Sequence, residues 1–159
     1  MPGSGKSATG KILASSLKFK FLDLDEEIVH VAGKSIPKIF EEDGEDHFRY
    51  LESLVLGRSR LKSNQVIATG GGIVVRPENW SAMESRGRTI YLKTSPEWVY
   101  ERTKNSKERP LLNCADPQAA IAALYAKRSA LYEKADFTIV TDNKTPAQVA
   151  GEIKKVLGL

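Results

Sequence analysis

The sequence predicts an α/β protein in which a central parallel β-sheet is flanked by helices, giving three layers. Short apolar segments alternate with segments that have a helical spacing of apolar residues along all 159 residues. Helices of about ten residues or more between successive strands are the usual crossover connections of a parallel sheet. The length fits one domain with a sizeable core, so we expect a single domain over residues 1–159.

Local signals place the helices and strands in chain order. Ser35 suits an N-cap, Gly44 is a stop signal, and Ser95 followed by Pro96 is a cap with proline at the first helical position. The predicted helices cover residues 6–17, 25–32, 35–43, 45–62, about 77–86, a segment from 95 onward, 117–134 and 146–157. The predicted strands cover 19–25, 65–69, 89–93 and 137–141, and a polar, lid-like loop is expected over 104–116.

Composition excludes several functional classes. The net charge is +4, but basic residues are interspersed with acidic ones, so we expect no nucleic-acid partner. No run approaches 18 apolar residues, so we expect no membrane partner. The single cysteine, Cys114, excludes an internal disulfide and suits a reducing compartment. We expect a monomer in the cytoplasm, or in a plastid if a transit peptide precedes the chain.

The stretch PGSGKS, residues 2–7, matches most of the phosphate-loop pattern G-x-x-x-x-G-K-[ST]. The first glycine of that pattern would lie one residue before Met1, with a strand before it. We therefore expect a five-stranded sheet whose first strand is missing from this chain. In such a loop Lys6 reaches the β- and γ-phosphates, and the Ser7 hydroxyl lies where Mg²⁺ is held. The alternative is an ordinary glycine–serine turn before a helix.

Two further acidic residues follow the first visible strand. In a strand that continues through FLDLD, Asp23 and Asp25 lie on one side and Leu24 on the other. One carboxylate could then lie near magnesium or its water shell, while the other accepts a hydroxyl proton. The alternative is a strand end followed by a helix that Asp25 caps.

Three glycines, Gly70, Gly71 and Gly72, follow the apolar strand QVIAT. Bare backbone allows a ligand ring to approach closely, whereas the alternative is a flexible turn. Because ligands of open parallel sheets bind at the carboxyl ends of the strands, we expect this turn, the two aspartates and the loop around Arg109 to share one site.

Arginines are suited to bidentate binding of carboxylate and phosphate groups. Arg49 and Glu52 are three residues apart on a predicted helix, so Glu52 could hold the guanidinium in place. Arg109 lies in the lid-like loop, and such loops commonly supply a positive charge to phosphoryl transfer. A solvated surface position is the alternative for Arg49, Arg109 or Arg128 taken alone.

Taken together, these motifs make the whole chain resemble the shikimate kinases, which are small P-loop kinases of aromatic amino-acid biosynthesis. The segments that carry the resemblance are PGSGKS, DLD, SIPKIFEEDGEDHFRYLE, ATGGG, ERPLL and KRSALYEKAD. The resemblance implies a P-loop kinase fold. It also implies transfer of the γ-phosphoryl group of ATP, with Mg²⁺, to the 3-hydroxyl of shikimate on the route to chorismate.

The resemblance also implies a role for individual residues. Shikimate contacts are implied at Asp25, Arg49, Gly70, Gly71, Gly72 and Arg128, with Phe40 and Phe48 as pocket walls. ATP contacts are implied at Gly3, Ser4, Gly5, Lys6, Ser7, Ala8, Arg102, Arg109, Lys144 and Pro146. Of these, Arg102 and Pro146 would lie on either side of the adenine ring. The implied catalytic residues are Lys6, Asp25 as candidate base, and Arg109, and the implied metal ligands are Ser7 and Asp23.

Departures from the family pattern leave two other functions open. Ala130 stands where a proline is usual, and Lys144 lies near a position where some members have arginine. The phosphate loop lacks its first glycine. One alternative is therefore a non-catalytic relative that binds or regulates, and the other is a P-loop kinase for a different small metabolite.

Overall fold

The computed structural model describes residues 1–58, 64–105 and 114–159. Its helices are α1 Lys6–Leu17, α2 Leu24–Ala32, α3 Ile36–Glu42, α4 Gly44–Arg58, α5 Pro77–Glu84, α6 Pro96–Thr103, α7 Pro117–Tyr132 and α8 Pro146–Leu157. Its strands are β1 Lys20–Asp23, β2 Gln65–Ala68, β3 Ile90–Lys93 and β4 Phe137–Val140, and a 3-10 turn covers Ile73–Val75.

The described strands form two parallel pairs. β1 pairs with β2, with Lys20 opposite Gln65, and β3 pairs with β4, with Ile90 opposite Phe137. Helices connect successive strands along the chain, which confirms the predicted α/β class with parallel strands. Within the described ranges the pairs remain two separate sheets rather than one continuous sheet.

A cavity of about 310 Å³ is lined by residues of both β2 and β3. Ile67 and Leu92 contribute apolar surface to its wall, and Gln65 and Tyr91 contribute polar groups. The Gln65 Oε1 and Tyr91 hydroxyl oxygens are buried without a hydrogen-bond partner among the described residues. Two residues of the cavity lining therefore each carry a buried oxygen without a hydrogen bond, which is uncommon because buried polar groups are normally paired.

The core consists of two clusters of buried side chains. The larger one includes Leu24 and Ile28 of α2, Ile39 of α3 and Val99 of α6. The smaller one joins α1 and α8 to the second strand pair through residues such as Leu13. The larger cluster also includes Phe48 and Ile73, which are next to the predicted site residues Arg49 and Gly72 in the chain.

Side-chain caps explain where several of the helices begin. The Ser95 hydroxyl accepts from the Trp98 amide at the start of α6, as the sequence predicts. Thr145 and Gln148 form a capping box at the start of α8. Gly44 is a stop as predicted, because α3 ends at Glu42 with Asp43 as C-cap and Gly44 follows with φ +83°; the same residue is the first of α4.

The prediction for residues 19–25 is wrong at its end. β1 stops at Asp23, and Asp25 lies in the first turn of α2. An Asp23 carboxylate oxygen accepts from the Asp25 amide at 3.0 Å, so Asp23, not Asp25, caps the helix. None of the described helices combines the length and the apolar character needed to cross a bilayer.

We expect Ile28→Ala to lower the free energy of unfolding by about 2–5 kcal/mol, because a fully buried side chain leaves a cavity. Ile28 is 0% exposed, whereas Val29 on the same helix is 38% exposed. The matched variant Val29→Ala should change the free energy of unfolding by no more than about 0.5 kcal/mol. Urea unfolding followed by circular dichroism measures both, and equal effects would contradict the burial assigned to α2.

Candidate active site

The phosphate-loop segment leads directly into α1. Gly5 precedes the helix with φ +84°, a left-handed conformation that glycine adopts without strain. A Cβ on Gly3 would lie 2.7 Å from the Thr103 methyl group, so the loop also packs closely against α6. Ser4 is buried, and its hydroxyl donates to the Met1 carbonyl at 3.0 Å. The positive end of the α1 dipole lies at this loop, and Ala8 is in the first turn of α1.

The Lys6 ammonium is folded back on the same loop. Its Nζ donates to the Met1 carbonyl at 2.8 Å and to the Ser4 hydroxyl at 3.2 Å. The charge of Lys6 therefore lies over the concave side of the turn, where it can attract an anion.

Ser7 and Asp23 meet at the carboxyl end of β1. The Ser7 hydroxyl donates to Asp23 Oδ2 at 2.5 Å, while Oδ1 of the same carboxylate caps α2. A hydroxyl and a carboxylate oxygen are ligands that suit Mg²⁺, which commonly takes one or two protein oxygens and keeps several waters. Among the described residues, no cluster of three or more His, Cys, Asp and Glu side chains is placed to hold a metal.

The three-glycine turn lies against the buried charged residues. A Cβ on Gly70 would lie 2.6 Å from Glu52 Oε1 and 2.8 Å from Asp25 Oδ1. A Cβ on Gly72 would overlap the Arg49 guanidinium. Close approach, and not turn flexibility alone, therefore requires glycine at both positions.

Arg49 is held by two glutamates. Its Nη1 donates to Glu52 Oε2 at 2.6 Å, which confirms the predicted i, i+3 pair. Its Nε and Nη2 both donate to Glu45 Oε1, at 3.1 and 2.7 Å. Arg128 of α7 approaches the same oxygen, with Nη2 at 4.0 Å. The two arginines predicted from sequence thus face one another across a single carboxylate oxygen.

Burial shifts the pKa values of the charged pair. Burial raises the pKa of the Glu52 carboxyl, and the charge of Arg49 opposes that rise. For Arg49, burial alone lowers the pKa, but the charges and hydrogen bonds of Glu52 and Glu45 outweigh it, so its pKa lies above the usual value. The guanidinium is therefore a permanent positive charge at the base of the site.

Two contributors to the site were not predicted from the sequence. The Tyr132 hydroxyl donates to the Gly71 carbonyl at 2.7 Å, and its ring stacks on Tyr91 with centroids 5.0 Å apart. Glu45 joins Arg49 and Arg128 as described above. Helical spacing contained both signals, because Glu45 is four residues before Arg49 and Tyr132 is four residues after Arg128.

The predicted nucleotide contacts are only partly brought together. Arg102 donates to the Gly3 carbonyl at 3.4 Å and to the Thr141 carbonyl at 2.8 Å, so it does lie beside the phosphate loop. Pro146 is the first residue of α8, while Lys144 donates to Glu152 at 2.8 Å. The Phe40 and Phe48 rings, predicted as pocket walls, are in contact with centroids 4.8 Å apart.

Arg109 lies outside the described residues, as does most of the predicted lid over 104–116. Its role as a cation on the transferring phosphate therefore stays a prediction.

Comparison with known proteins identifies the family. A family model described as shikimate kinase matches residues 2–158. The chain belongs to the shikimate kinase family. Members of this family are ATP-dependent phosphotransferases, which agrees with the kinase class predicted from the motifs.

Individual shikimate kinases match over nearly the whole chain. The protein of Synechococcus sp. (strain CC9605) is 45% identical over 158 residues, which are 99% of this chain and 79% of that protein. The protein of Legionella pneumophila (strain Corby) is 44% identical over 156 residues, which are 98% of this chain and 89% of that protein.

Solved structures confirm the fold at similar coverage. Shikimate kinase from Acinetobacter baumannii, in complex with shikimate, superposes with a TM-score of 0.95 at 37% identity, over 99% of this chain and 89% of that one. The enzyme of Aquifex aeolicus gives a TM-score of 0.84 at 43% identity, over 98% and 90% of the two chains.

We expect Gly72→Ala to displace the Arg49 guanidinium and to lower the free energy of unfolding by about 3–5 kcal/mol, because Glu52 would remain buried without its partner. Gly87 provides the control, since a Cβ there meets no atom within 4 Å. Gly87→Ala should be neutral or stabilise by up to about 1 kcal/mol. Urea unfolding compares the two variants, and a neutral Gly72→Ala would contradict the close packing of the turn on Arg49.

Proposed function

We propose that this protein transfers the γ-phosphoryl group of ATP to the 3-hydroxyl of shikimate. The observation that carries the proposal is the three-glycine turn packed against Asp25, Glu52 and Arg49, because this places a carboxylate and a fixed guanidinium around bare backbone. A small ring with one carboxylate and several hydroxyls matches these groups. Membership of the shikimate kinase family and the likeness to a shikimate-bound enzyme support the same substrate.

Arg49 and Arg128 are proposed to bind the carboxylate of shikimate. Both side chains are buried, so their interaction with an anion is weakly screened by water. Glu52 keeps Arg49 in one orientation, and the stacked Tyr132 fixes the carbonyl of the Gly71 peptide. The substrate then meets a preorganised site, which lowers the entropic cost of holding it in a reactive position.

Asp25 is proposed to hold the reacting hydroxyl and to accept its proton. Oδ1 of Asp25 lies at the glycine turn, near the position that Glu52 also faces. As the hydroxyl oxygen forms its bond to the γ-phosphorus, the bond from that phosphorus to the bridging oxygen breaks and ADP leaves. The hydroxyl proton passes to the carboxylate of Asp25.

The phosphate loop is proposed to bind the triphosphate. Backbone groups of Gly3, Ser4 and Gly5 line the turn, and Lys6 exchanges the Met1 carbonyl for phosphate oxygens. Ser7 and Asp23 would hold Mg²⁺ directly or through water. When bound, this ion neutralises charge that develops on the β- and γ-phosphate oxygens.

The remaining nucleotide and lid assignments are also part of the proposal. Arg102 and Pro146 would flank the adenine, Lys144 would face the nucleotide, and Arg109 would reach the transferring phosphate from a lid over 104–116. We further propose that the 159 residues act as one domain, as a monomer and in the cytoplasm, with no nucleic-acid or membrane partner.

The second candidate is a family member that binds shikimate without transferring phosphate. Such a protein would keep the residues packed around the glycine turn, so only an assay of turnover distinguishes it from the kinase. A substrate panel also tests for a different small-metabolite kinase, which would turn over another alcohol faster than shikimate.

The decisive experiment is a coupled assay of ADP release with MgATP, with and without shikimate. It is run on this chain and on a form with an added apolar strand and a glycine directly before Met1. Shikimate-dependent turnover by either form supports the proposal. Binding of shikimate by calorimetry without turnover in either folded form would favour the binding protein instead.

We expect Asp25→Asn to lower kcat about 10²- to 10⁴-fold, because the amide cannot accept the hydroxyl proton. The KM for ATP should change little. Glu26→Gln is the matched control, since Glu26 lies in the same helical turn with its side chain exposed and paired with Lys11 at 3.5 Å. Near-normal turnover of Asp25→Asn would rule out the base role.

A further inference from the structure

The carboxylate of Glu45 occupies the space between the two buried arginines. Glu45 Oε1 accepts from Arg49 Nε and Nη2 at 3.1 and 2.7 Å and lies 4.0 Å from Arg128 Nη2. Both arginine side chains are almost fully buried, at 7% and 6% exposure, whereas the Glu45 side chain is 47% exposed. Glu45 therefore reaches into the arginine pair from the rim of the site.

The local charges explain why a carboxylate is held there. Arg49 and Arg128 bring two positive charges, and Glu52 is the buried carboxylate that pairs directly with Arg49. Arg128 Nε is buried with no hydrogen-bond partner in the described part of the chain. An uncompensated buried charge is costly, so an anion between the two guanidinium groups stabilises the site when no ligand is present.

We infer that Glu45 is an internal competitor for the anion site of Arg49 and Arg128. The inference rests on the proposed function, in which these arginines bind the substrate carboxylate. A bound carboxylate would compete for the guanidinium N–H groups that Glu45 Oε1 accepts from. Glu45 must therefore turn outward, which its position at the rim allows, or remain and repel the incoming charge.

This competition has two consequences for the enzyme. It weakens the binding of every anionic ring, because each must displace or tolerate the carboxylate of Glu45. It also gives the arginines a partner as soon as the phosphorylated product leaves. Glu45 thus sets the affinity for the acid group of the substrate, without contacting the reacting hydroxyl.

The test replaces Glu45 with glutamine, which keeps the shape and removes the charge. A neutral amide oxygen is a weaker acceptor than a carboxylate, so Glu45→Gln should lower the Kd for shikimate about 3- to 10-fold. Calorimetric titration without ATP measures this Kd, and the KM for shikimate should fall in parallel. The KM for ATP should not change.

Asp46→Asn is the matched control. Asp46 is exposed in the first turn of α4, beside Glu45, so it shares the effects of net charge and of the helix dipole. Its substitution should leave the Kd for shikimate within about twofold, as expected for a screened surface charge. A second arm uses the methyl ester of shikimate, whose affinity should not improve in Glu45→Gln because it carries no negative charge.

The outcomes separate this inference from the proposed function. Tighter binding of shikimate by Glu45→Gln, with Asp46→Asn unchanged and no gain for the ester, supports it. Unchanged or weaker binding by Glu45→Gln, beside a wild type that binds shikimate, overturns the competitor role alone. An equal gain for acid and ester also overturns it, because the effect would then be steric. A wild type that binds no shikimate overturns the proposed function together with this inference.

Discussion

The buried ion pair between Arg49 and Glu52 is the constraint on which the rest of the substrate side depends. Its short distance and near-complete burial mean that removing either partner leaves a charge that the interior does not tolerate. The pair in turn restricts which residues can occupy the neighbouring glycine turn. Gly72 must lack a side chain where it meets the guanidinium, and Gly70 must lack one where it meets the carboxylate. The three-glycine turn is therefore shaped by the charges beneath it as much as by any ligand.

Much of the fold could be predicted because its signals are local. The boundaries of α1 and α8 follow from helical periodicity and, for α8, from proline at the helix start, and they agree with residues 6–17 and 146–157. The end of β1 could not be predicted in the same way. The alternation in FLDLD fits a strand. The hydrogen bond from the Asp25 amide to the Asp23 carboxylate instead starts a helix at Leu24, one residue before the predicted helix start at residue 25. A capping interaction thus prevailed over strand periodicity.

The site could be predicted in its residue types but not in its partners. Asp25 and the glycine turn were expected together because both follow strand ends, and Arg49 was expected beside them from the family resemblance; the turn lies against both residues. Glu45 and Tyr132 were not predicted, because a glutamate on a helix and a tyrosine near an arginine are usually surface or core residues. Helical spacing places each of them beside a site arginine, but their contacts with Arg49 and with the Gly71 carbonyl follow from the packing of α4 and α7.

The phosphate loop joins the two strand pairs. At one end Gly3 packs on Thr103 and its carbonyl accepts from Arg102, both of which lie on the helix that follows β3. At the other end Ser7 donates to Asp23, the last residue of β1. One short segment thus contacts residues attached to both strand pairs. Displacement of this segment would shift both sets of contacts at once, so in the proposed reaction its packing is a condition for phosphoryl transfer and not only for nucleotide binding.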